Sequence, residues 1–325
     1  MKVTVDVVSY PMKVPFAITG HVFHDTDTIR VTLEHDGFVG RGESVGSYYL
    51  DETAASMKAD LDTVIAKINA STTPESLQDL MPLCGARNAL DCALWDLRAK
   101  KAGKRIWDLV AIAPKELVTV FTVGMEDLSV MAQRAAEAAQ FPQLKIKLNA
   151  HEPIERLEAI RAARPDASLV VDVNQGWSFA ELEEYLPACQ KLGVAMIEQP
   201  IARGEDAQLE GFKSPVPLGA DESCLGLSEF QQAADRYDVL NIKLDKCGGL
   251  TEGLALARAA QEKGMQLMVG NMTGTSLSMA PSYVIAQFCR FVDIDGPLLL
   301  AHDIENGLEY RNGGTVGLPS AALWG

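Results

Sequence analysis

Basic residues are scarce in this chain: 29 Lys and Arg stand against 44 Asp and Glu, a formal charge of -15 over 325 residues. That imbalance opposes non-specific attraction to phosphate backbones and anionic lipid, so neither nucleic acid nor membrane is expected as a partner. No run of about 18 apolar residues occurs, which excludes a spanning helix. The stretch from Met1 to Phe16 carries charges and a proline and has no small-residue cleavage site, so a cytoplasmic location is expected. Cysteine is sparse and scattered: the six, at 84, 92, 189, 224, 247 and 289, form no CxxC pair. A disulfide framework and a thiolate metal site are thereby disfavoured, and reduced, mostly buried thiols are expected. Cys224 and Cys247 stand beside candidate site residues, but no histidine lies near either in sequence to activate a nucleophile. Low-complexity stretches and linkers are absent too.

What is present is a hydrophobic content of 47%, enough to bury a barrel and a second domain. Lys147, Asp172, Glu198, Asp221, Lys246 and the pair Asp293/Asp295 recur at intervals of 25, 26, 23, 25 and 47 residues, each read as ending a short apolar, β-branched run. A period near 25 is what one strand, one loop and one three-turn helix consume, so the repeat predicts successive βα units of a parallel barrel. Amphipathic stretches at 127–139, 152–163, 179–192, 227–236, 250–263 and 276–288 fill the gaps, after an opening strand at 118–123. Residues 1–115 instead begin with β alternation, with an Asp36-Gly37 turn, and continue into helical sequence; Gly85–Ala102 keeps Ala86, Ala89, Leu90, Ala93, Leu94 and Leu97 on one stripe. The fold class is α/β: a (β/α)7β modified TIM barrel over 116–299, an N-terminal α+β capping domain over 1–115, and a tail, 300–325, folding back on that cap.

In such a barrel the strand C-termini converge on one mouth, where the chemistry sits. Asp172, Glu198 and Asp221 offer only hard oxygen donors, with no Cys or His in the pattern, which suits Mg²⁺ over Zn²⁺. N-capping or ion pairing is the plainer use of three such acids; their place at three consecutive strand ends, where desolvation demands a counter-charge, favours the metal. Asn174 is read first as a turn residue and second as an outer hydrogen-bond partner. Lys145 and Lys147 share one strand face by the period of two. Mutual repulsion and burial are expected to lower their pKa toward that of a general base. Lys246 lies around the ring on the other side of the acids, so a carbon acid held between the lysines would meet a base on each face.

These residues, with Ala86-Arg87-Asn88-Ala89-Leu90-Asp91-Cys92-Ala93-Leu94-Trp95-Asp96-Leu97, Ile197-Glu198-Gln199-Pro200, Ala220-Asp221-Glu222-Ser223 and Lys243-Leu244-Asp245-Lys246-Cys247-Gly248-Gly249, are similar to the motifs of the enolase superfamily, muconate-lactonizing subgroup, over essentially the whole chain. The resemblance implies that Asp172, Glu198 and Asp221 bind Mg²⁺, that Lys147 and Lys246 are paired acid/base catalysts, and that Lys145 contacts the substrate carboxylate. Asp293-Ile294-Asp295 resembles the Asp-x-Asp of the dipeptide epimerases, where two carboxylates hold a free α-ammonium; a turn cap before Gly296-Pro297 is the alternative for one of them. The implied activity is 1,1-proton transfer at Cα of the C-terminal residue of a dipeptide, L-Ala-Xaa, through a metal-stabilised enolate. The alternatives are an N-acylamino acid racemase or muconate-type cycloisomerase on the same scaffold, and a non-catalytic metal- and peptide-binding barrel.

In relatives acting on L-Ala-L/D-Glu, an arginine of the capping loop is expected to pair with the glutamate; here that loop, Ala17–Asp27, has none and offers His21, Phe23 and His24 to the substrate. Tyr48, Tyr49 and Asp51 are read as a second flap. Xaa is therefore expected to be apolar, polar or cationic, and self-association is left open.

Overall fold

The computed structural model describes residues 1–325. Three antiparallel strands open the chain, β1 (Lys2–Ile18), β2 (His21–His35) and β3 (Phe38–Val45), in the order β1-β2-β3. Asp36 (φ 52°) and Gly37 (φ 81°) make the β2–β3 turn with both central residues left-handed, as a tight hairpin requires. Ile29, Val31 and Leu33 point to one face and bury against Ala86, Ala89, Leu90, Ala93, Leu94 and Leu97 of the helix Gly85–Ala102. Gly40 and Gly42 let that helix sit directly on β3. A Cβ at Gly42 would lie 2.1 Å from the Ala89 carbonyl oxygen, so alanine there would drive helix from sheet.

Segment 17–27, expected from the resemblance to be a loop of the cap, is instead the tip of a hairpin. Phe16 pairs with Phe23, Ala17 with Val22 and Ile18 with His21 across a turn at Thr19-Gly20. The polar run still alternates, with Thr26 and Thr28 buried between exposed Asp25 and Asp27, which is strand behaviour with threonine in the apolar place.

Strand β4 (Leu117–Val118) is separated from β5 (Phe121–Val123), so the single run expected at 118–123 divides. Its first half is drawn away by a partner in the tail, β13 (Thr315–Val316). Seven strands follow β5, β6 (Gln143–Lys147), β7 (Ser168–Asp172), β8 (Val194–Glu198), β9 (Leu218–Ala220), β10 (Val239–Ile242), β11 (Gln266–Val269) and β12 (Phe291–Val292), with an α-helix in every connection except β8–β9, where a short 3-10 turn, Asp206–Leu209, stands in place of the seventh helix. All pair in parallel and in sequential order. The Val120 N–H donates to the Val292 carbonyl at 2.8 Å, tying the last strand to the first. The intervening helices, Leu128–Glu137, Pro153–Ala163, Phe179–Lys191, Leu227–Arg236, Leu250–Lys263 and Ser276–Ala286, begin and end within two residues of the expected stretches.

Inside the ring, Val170, Met196, Val239, Met268 and Phe291 form an apolar plug. Two positions further along three of these strands stand Asp172, Glu198 and Asn241. The period of two that turns the plug residues inward turns these inward as well, so the polar layer rests on an apolar floor.

The tail returns to the first 115 residues. Ala301 N donates to Pro11 O at 2.8 Å, Trp324 is fully buried with its indole N–H on Cys92 O, and Gly325 N donates to Asp96 Oδ1. No helix is long and apolar enough to cross a membrane.

Between helix Gly85–Ala102 and the barrel lies Asp91, fully buried. It accepts from the Thr251 hydroxyl at 2.6 Å and the Thr251 N–H at 3.0 Å, yet burial outweighs these bonds and pushes its pKa up to about 7. A carboxyl whose folded pKa is raised contributes stability that is fully present below the unfolded pKa, about 4, and lost as pH rises through about 7. The melting temperature of the wild type should therefore fall more between pH 4 and pH 7 than that of Asp91→Asn. Parallel curves would contradict the buried, proton-holding carboxyl.

Candidate active site

The ends of β6 to β9 bring the expected residues into one cluster. Lys145 Nζ lies 2.9 Å from Glu198 Oε2, 3.0 Å from Asp172 Oδ2 and 2.7 Å from Asp293 Oδ2. Lys147 Nζ lies 2.6 Å from Asp172 Oδ2 and donates to Asn174 Oδ1 at 3.0 Å. At the other end of the row Lys246 Nζ reaches Asp221 Oδ1 at 2.7 Å and donates also to the Asp221 carbonyl. The order around the mouth is thus Lys147, Asp172, Glu198, Asp221, Lys246. Asp172, Glu198 and Asp221 are fully buried, and Lys145, Lys147 and Lys246 are at most 7% exposed.

Lys246 does not end its strand. Strand β10 stops at Ile242, and Lys246 sits on a single helical turn, Leu244–Cys247, that follows it. The spacing of 25 residues holds because that turn folds back toward the mouth.

The expectation of a depressed lysine pKa fails at Lys145. Burial pulls it down, but Asp293, Glu198 and Asp172 together outweigh burial and hold it well above the usual lysine value. Lys145 is a fixed cation here. For Asp172 and Asp221 the sign is opposite: burial raises them, and the lysines (Lys147, Lys145 and Lys243 for Asp172; Lys243 and Lys246 for Asp221) more than reverse it, keeping both ionised. Glu198, flanked by both of those charges, is pushed up to about 7 by burial and by Asp172.

Three partners of these residues were missed in the sequence. Lys243 Nζ lies 2.5 Å from Asp221 Oδ2, and Asn241 Nδ2 donates to Glu198 Oε1 at 2.7 Å. Both follow Val239 at steps of two, the signal that had paired Lys145 with Lys147. Glu222, next to Asp221, is buried with Oε2 unpartnered and is pushed up to about 8 by burial and the Asp221 charge. Only the three-dimensional neighbourhood distinguishes it from a capping acid.

Asn174 does both things open to it: its backbone is left-handed (φ 45°), as is that of Gln175 (φ 69°), while its amide bridges Lys147 and Glu222, Oδ1 accepting from Lys147 Nζ at 3.0 Å and Nδ2 donating to Glu222 Oε1 at 3.4 Å. Gln199 (φ 36°) and Thr273 (φ 65°) repeat that strained backbone at the same rim, a β-branched residue in this region being held there only by its surroundings.

Asp293 and Asp295 lie just past β12. Asp293 Oδ1 accepts from Asn271 Nδ2 at 3.0 Å, and Asp295 Oδ2 from the Thr122 N–H at 2.6 Å. Burial first, then the Asp293 charge, push Asp295 up to about 8, so its carboxyl mostly holds its proton near neutral pH.

On the cap side, His21 and Phe23 pack together with Tyr48 (ring centroids 4.2, 5.7 and 5.9 Å apart) and Tyr48 packs on Tyr49 at 5.3 Å. Tyr48 is raised by burial, then by the charge of Glu222. His24, on the opposite face of β2 from Phe23, is exposed and apart from this cluster, so the structure does not join it to the others. Cys224 and Cys247 are buried and their thiols are pushed up to about 11 and about 12, which removes them as nucleophiles near neutral pH.

The donor chemistry of the row fits a hard divalent cation. It is all oxygen, and Glu198 Oε2 has no hydrogen bond, only the Lys145 ion pair. The acids are interleaved with ammonium groups, and no three of them converge on a shared point at ligand distance.

Fold and site together define a capped parallel barrel enzyme of the enolase type. Residues 1–111 match the model of the mandelate racemase/muconate lactonizing enzyme N-terminal domain and residues 127–321 that of the enolase C-terminal domain-like family. The chain belongs to that mandelate racemase/muconate lactonizing enzyme family. It is 40% identical over 308 residues to the L-Ala-D/L-Glu epimerase of Escherichia coli, covering 94% of this chain and 96% of that one. It is 37% identical to the N-acetyl-D-glutamate racemase of a Pseudoalteromonas species, over 91% and 95% of the two chains. Among solved structures, an enolase family member from Agrobacterium tumefaciens with homology to dipeptide epimerases, holding sodium and L-Ala-L-Glu, superposes with a TM-score of 0.96 at 39% identity, covering 99% of both chains. The Enterococcus faecalis dipeptide epimerase, holding Mg and L-Leu-L-Tyr, does so at 0.91 with 26% identity, covering 97% and 96%.

Proposed function

We propose that this protein is a Mg²⁺-dependent dipeptide epimerase, inverting Cα of the second residue of an L-Ala-Xaa dipeptide. The observation that carries it is the order of groups around the mouth: an acid row with a lysine at each end. Asp172, Glu198 and Asp221 would hold the metal, which supplies positive charge beside the substrate carboxylate and so acidifies its α-proton. Lys147 takes or returns that proton on one face and Lys246 on the other. Lys145, held as a permanent cation, orients the same carboxylate. Asp293 and Asp295 receive the free α-ammonium of the first residue, and the segment 1–115 acts as a cap over the barrel of 116–299. His21, Phe23 and Tyr48 face the side chain of Xaa. They present aromatic rings and no permanent cation, which supports an apolar, polar or cationic Xaa in place of glutamate. His24 has no part in this reading. The protein is read as cytoplasmic, acting on a small molecule.

The Pseudoalteromonas relative gives weight to a second reading, racemisation of an N-acylamino acid, which lacks the ammonium. The Asp293→Asn/Asp295→Asn double variant separates the two. Removing a charge-assisted contact in a closed site should lower kcat/KM for free dipeptides by about 2–4 kcal/mol. N-acetylating the dipeptide should harm the wild type nearly as much and the double variant little further. Faster turnover of N-acylamino acids than of dipeptides by the wild type would replace the epimerase with the racemase.

A further inference from the structure

The two lysines are held in place by different parts of the molecule. Lys147 stands on a barrel strand whose ladder runs unbroken beside β7, from Gln143 against Ser168 to Lys147 against Asp172. The hydrogen bonds that the first 115 residues make to its immediate neighbours come from one hydroxyl, that of Thr19, which faces the Leu148 and Val173 carbonyls at 3.1 and 2.9 Å. Lys246 has no ladder. It rides on the four-residue turn Leu244–Cys247, and one turn of helix in isolation does not hold its own shape.

That turn is fastened from outside, at both ends, by the cap. At its start Asp245, 3% exposed, accepts through Oδ1 from the Ser44 hydroxyl at 2.8 Å, the Val45 N–H at 3.0 Å and Asn88 Nδ2 at 3.2 Å. At its end the buried guanidinium of Arg87 donates to the Cys247 carbonyl at 2.9 Å and the Gly248 carbonyl at 3.0 Å, groups that a helix terminus leaves unpaired. Gly248 leaves room for it: a Cβ there would lie 2.5 Å from Arg87 Nε. Asp245 and the Cys247 carbonyl flank Lys246 in sequence, so these bonds fix the backbone from which its side chain reaches Asp221.

Resting on the reading of Lys147 and Lys246 as the two bases, we infer that Ser44, Arg87 and Asn88 are positioning residues for Lys246 alone, so that the cap governs proton transfer on one face of the substrate while the barrel by itself governs the other. The consequence is a stereochemical asymmetry. A misplacement of about 1 Å at a reacting group costs on the order of 10²-fold in rate, and loosening the cap's grip moves only one of the two bases.

The test is hydrogen exchange at Cα in D₂O, followed by loss of the Cα proton signal, on both epimers of the L-Ala-Xaa dipeptide that the wild type exchanges fastest. Lys246→Ala and Lys147→Ala first identify which epimer each lysine deprotonates. Ser44→Ala and Asn88→Ala, singly and together, should then slow exchange of the Lys246 epimer by about 10- to 10²-fold while the other epimer stays within about threefold of wild type. KM should move little. Arg87→Lys, which keeps the charge but loses the paired geometry, should show the same bias. Thr251→Val removes a cap contact, the hydroxyl bond to Asp91, that does not touch the Lys246 turn, and should produce no bias. Equal slowing of both epimers by the Ser44 and Asn88 variants, or no slowing, would overturn the inference and leave the two-base reading intact. Absence of exchange from any dipeptide by the wild type would instead bring down the epimerase reading and the inference with it.

Discussion

Lys246→Ala is expected to lose net epimerisation by about 10³-fold, within the usual range for removing a positioned general acid/base, while still washing out the Cα proton of one epimer. The proposed two-base reading predicts both halves of that result. Epimerisation needs a proton removed on one face and another delivered on the opposite face, and Lys246 and Lys147 stand at opposite ends of the acid row, on Asp221 and Asp172. Neither lysine can reach around the three carboxylates to serve for the other. Lys147→Ala should give the mirror result, with wash-out surviving only in the other epimer. Measuring exchange and inversion separately, by loss of the Cα proton signal and by chiral chromatography, checks it. Near wild-type epimerisation in both directions by either single variant would show that one base suffices.

Chelation should abolish turnover and Mg²⁺ should restore it; with the metal in excess, the melting temperature of the wild type should rise, because a ligand that binds only the folded state stabilises it. Glu198→Gln tests the site without relying on activity. In the metal-free protein Glu198 is already pushed up to about 7, so a neutral amide of the same shape disturbs little, and Asn241 Nδ2 still finds an oxygen to donate to. That variant should fold and melt near the metal-free wild type. It should nonetheless lose the Mg²⁺-dependent rise in melting temperature and fall by roughly 10³-fold or more in rate, the several kcal/mol that a metal contributes to a developing carbanion. Full activity in chelator, or an undiminished thermal response in Glu198→Gln, would remove the metal from this site.

Particular elements show where the sequence was legible. The helices at 227–236 and 250–263 begin and end where their apolar spacing places them, because that spacing is a local property of 3.6 residues per turn. Lys145 and Lys147 share a face because a strand alternates. The same rule held Asn241 and Lys243, but they were overlooked beside the more conspicuous Lys246. Segment 17–27, placed as a loop by the resemblance, is a hairpin because its residues pair with β1, with threonines in the buried places of its alternation.

The sequence alone determined the repeating unit, the parallel ring and the inward row of acids on its strands, since alternation is written within ten residues and the period of about 25 is written along one strand-helix unit after another. It did not determine which charge meets which. Lys145 is a fixed cation because Asp293, 148 residues away, joins Asp172 and Glu198 around it. Lys246 is aimed because Asn88, 157 residues from Asp245, holds its turn. Those pairings arise when the barrel closes and the cap settles on it. In a desolvated site, distances of a few tenths of an ångström then decide which groups keep their charge, and no local pattern carries that information.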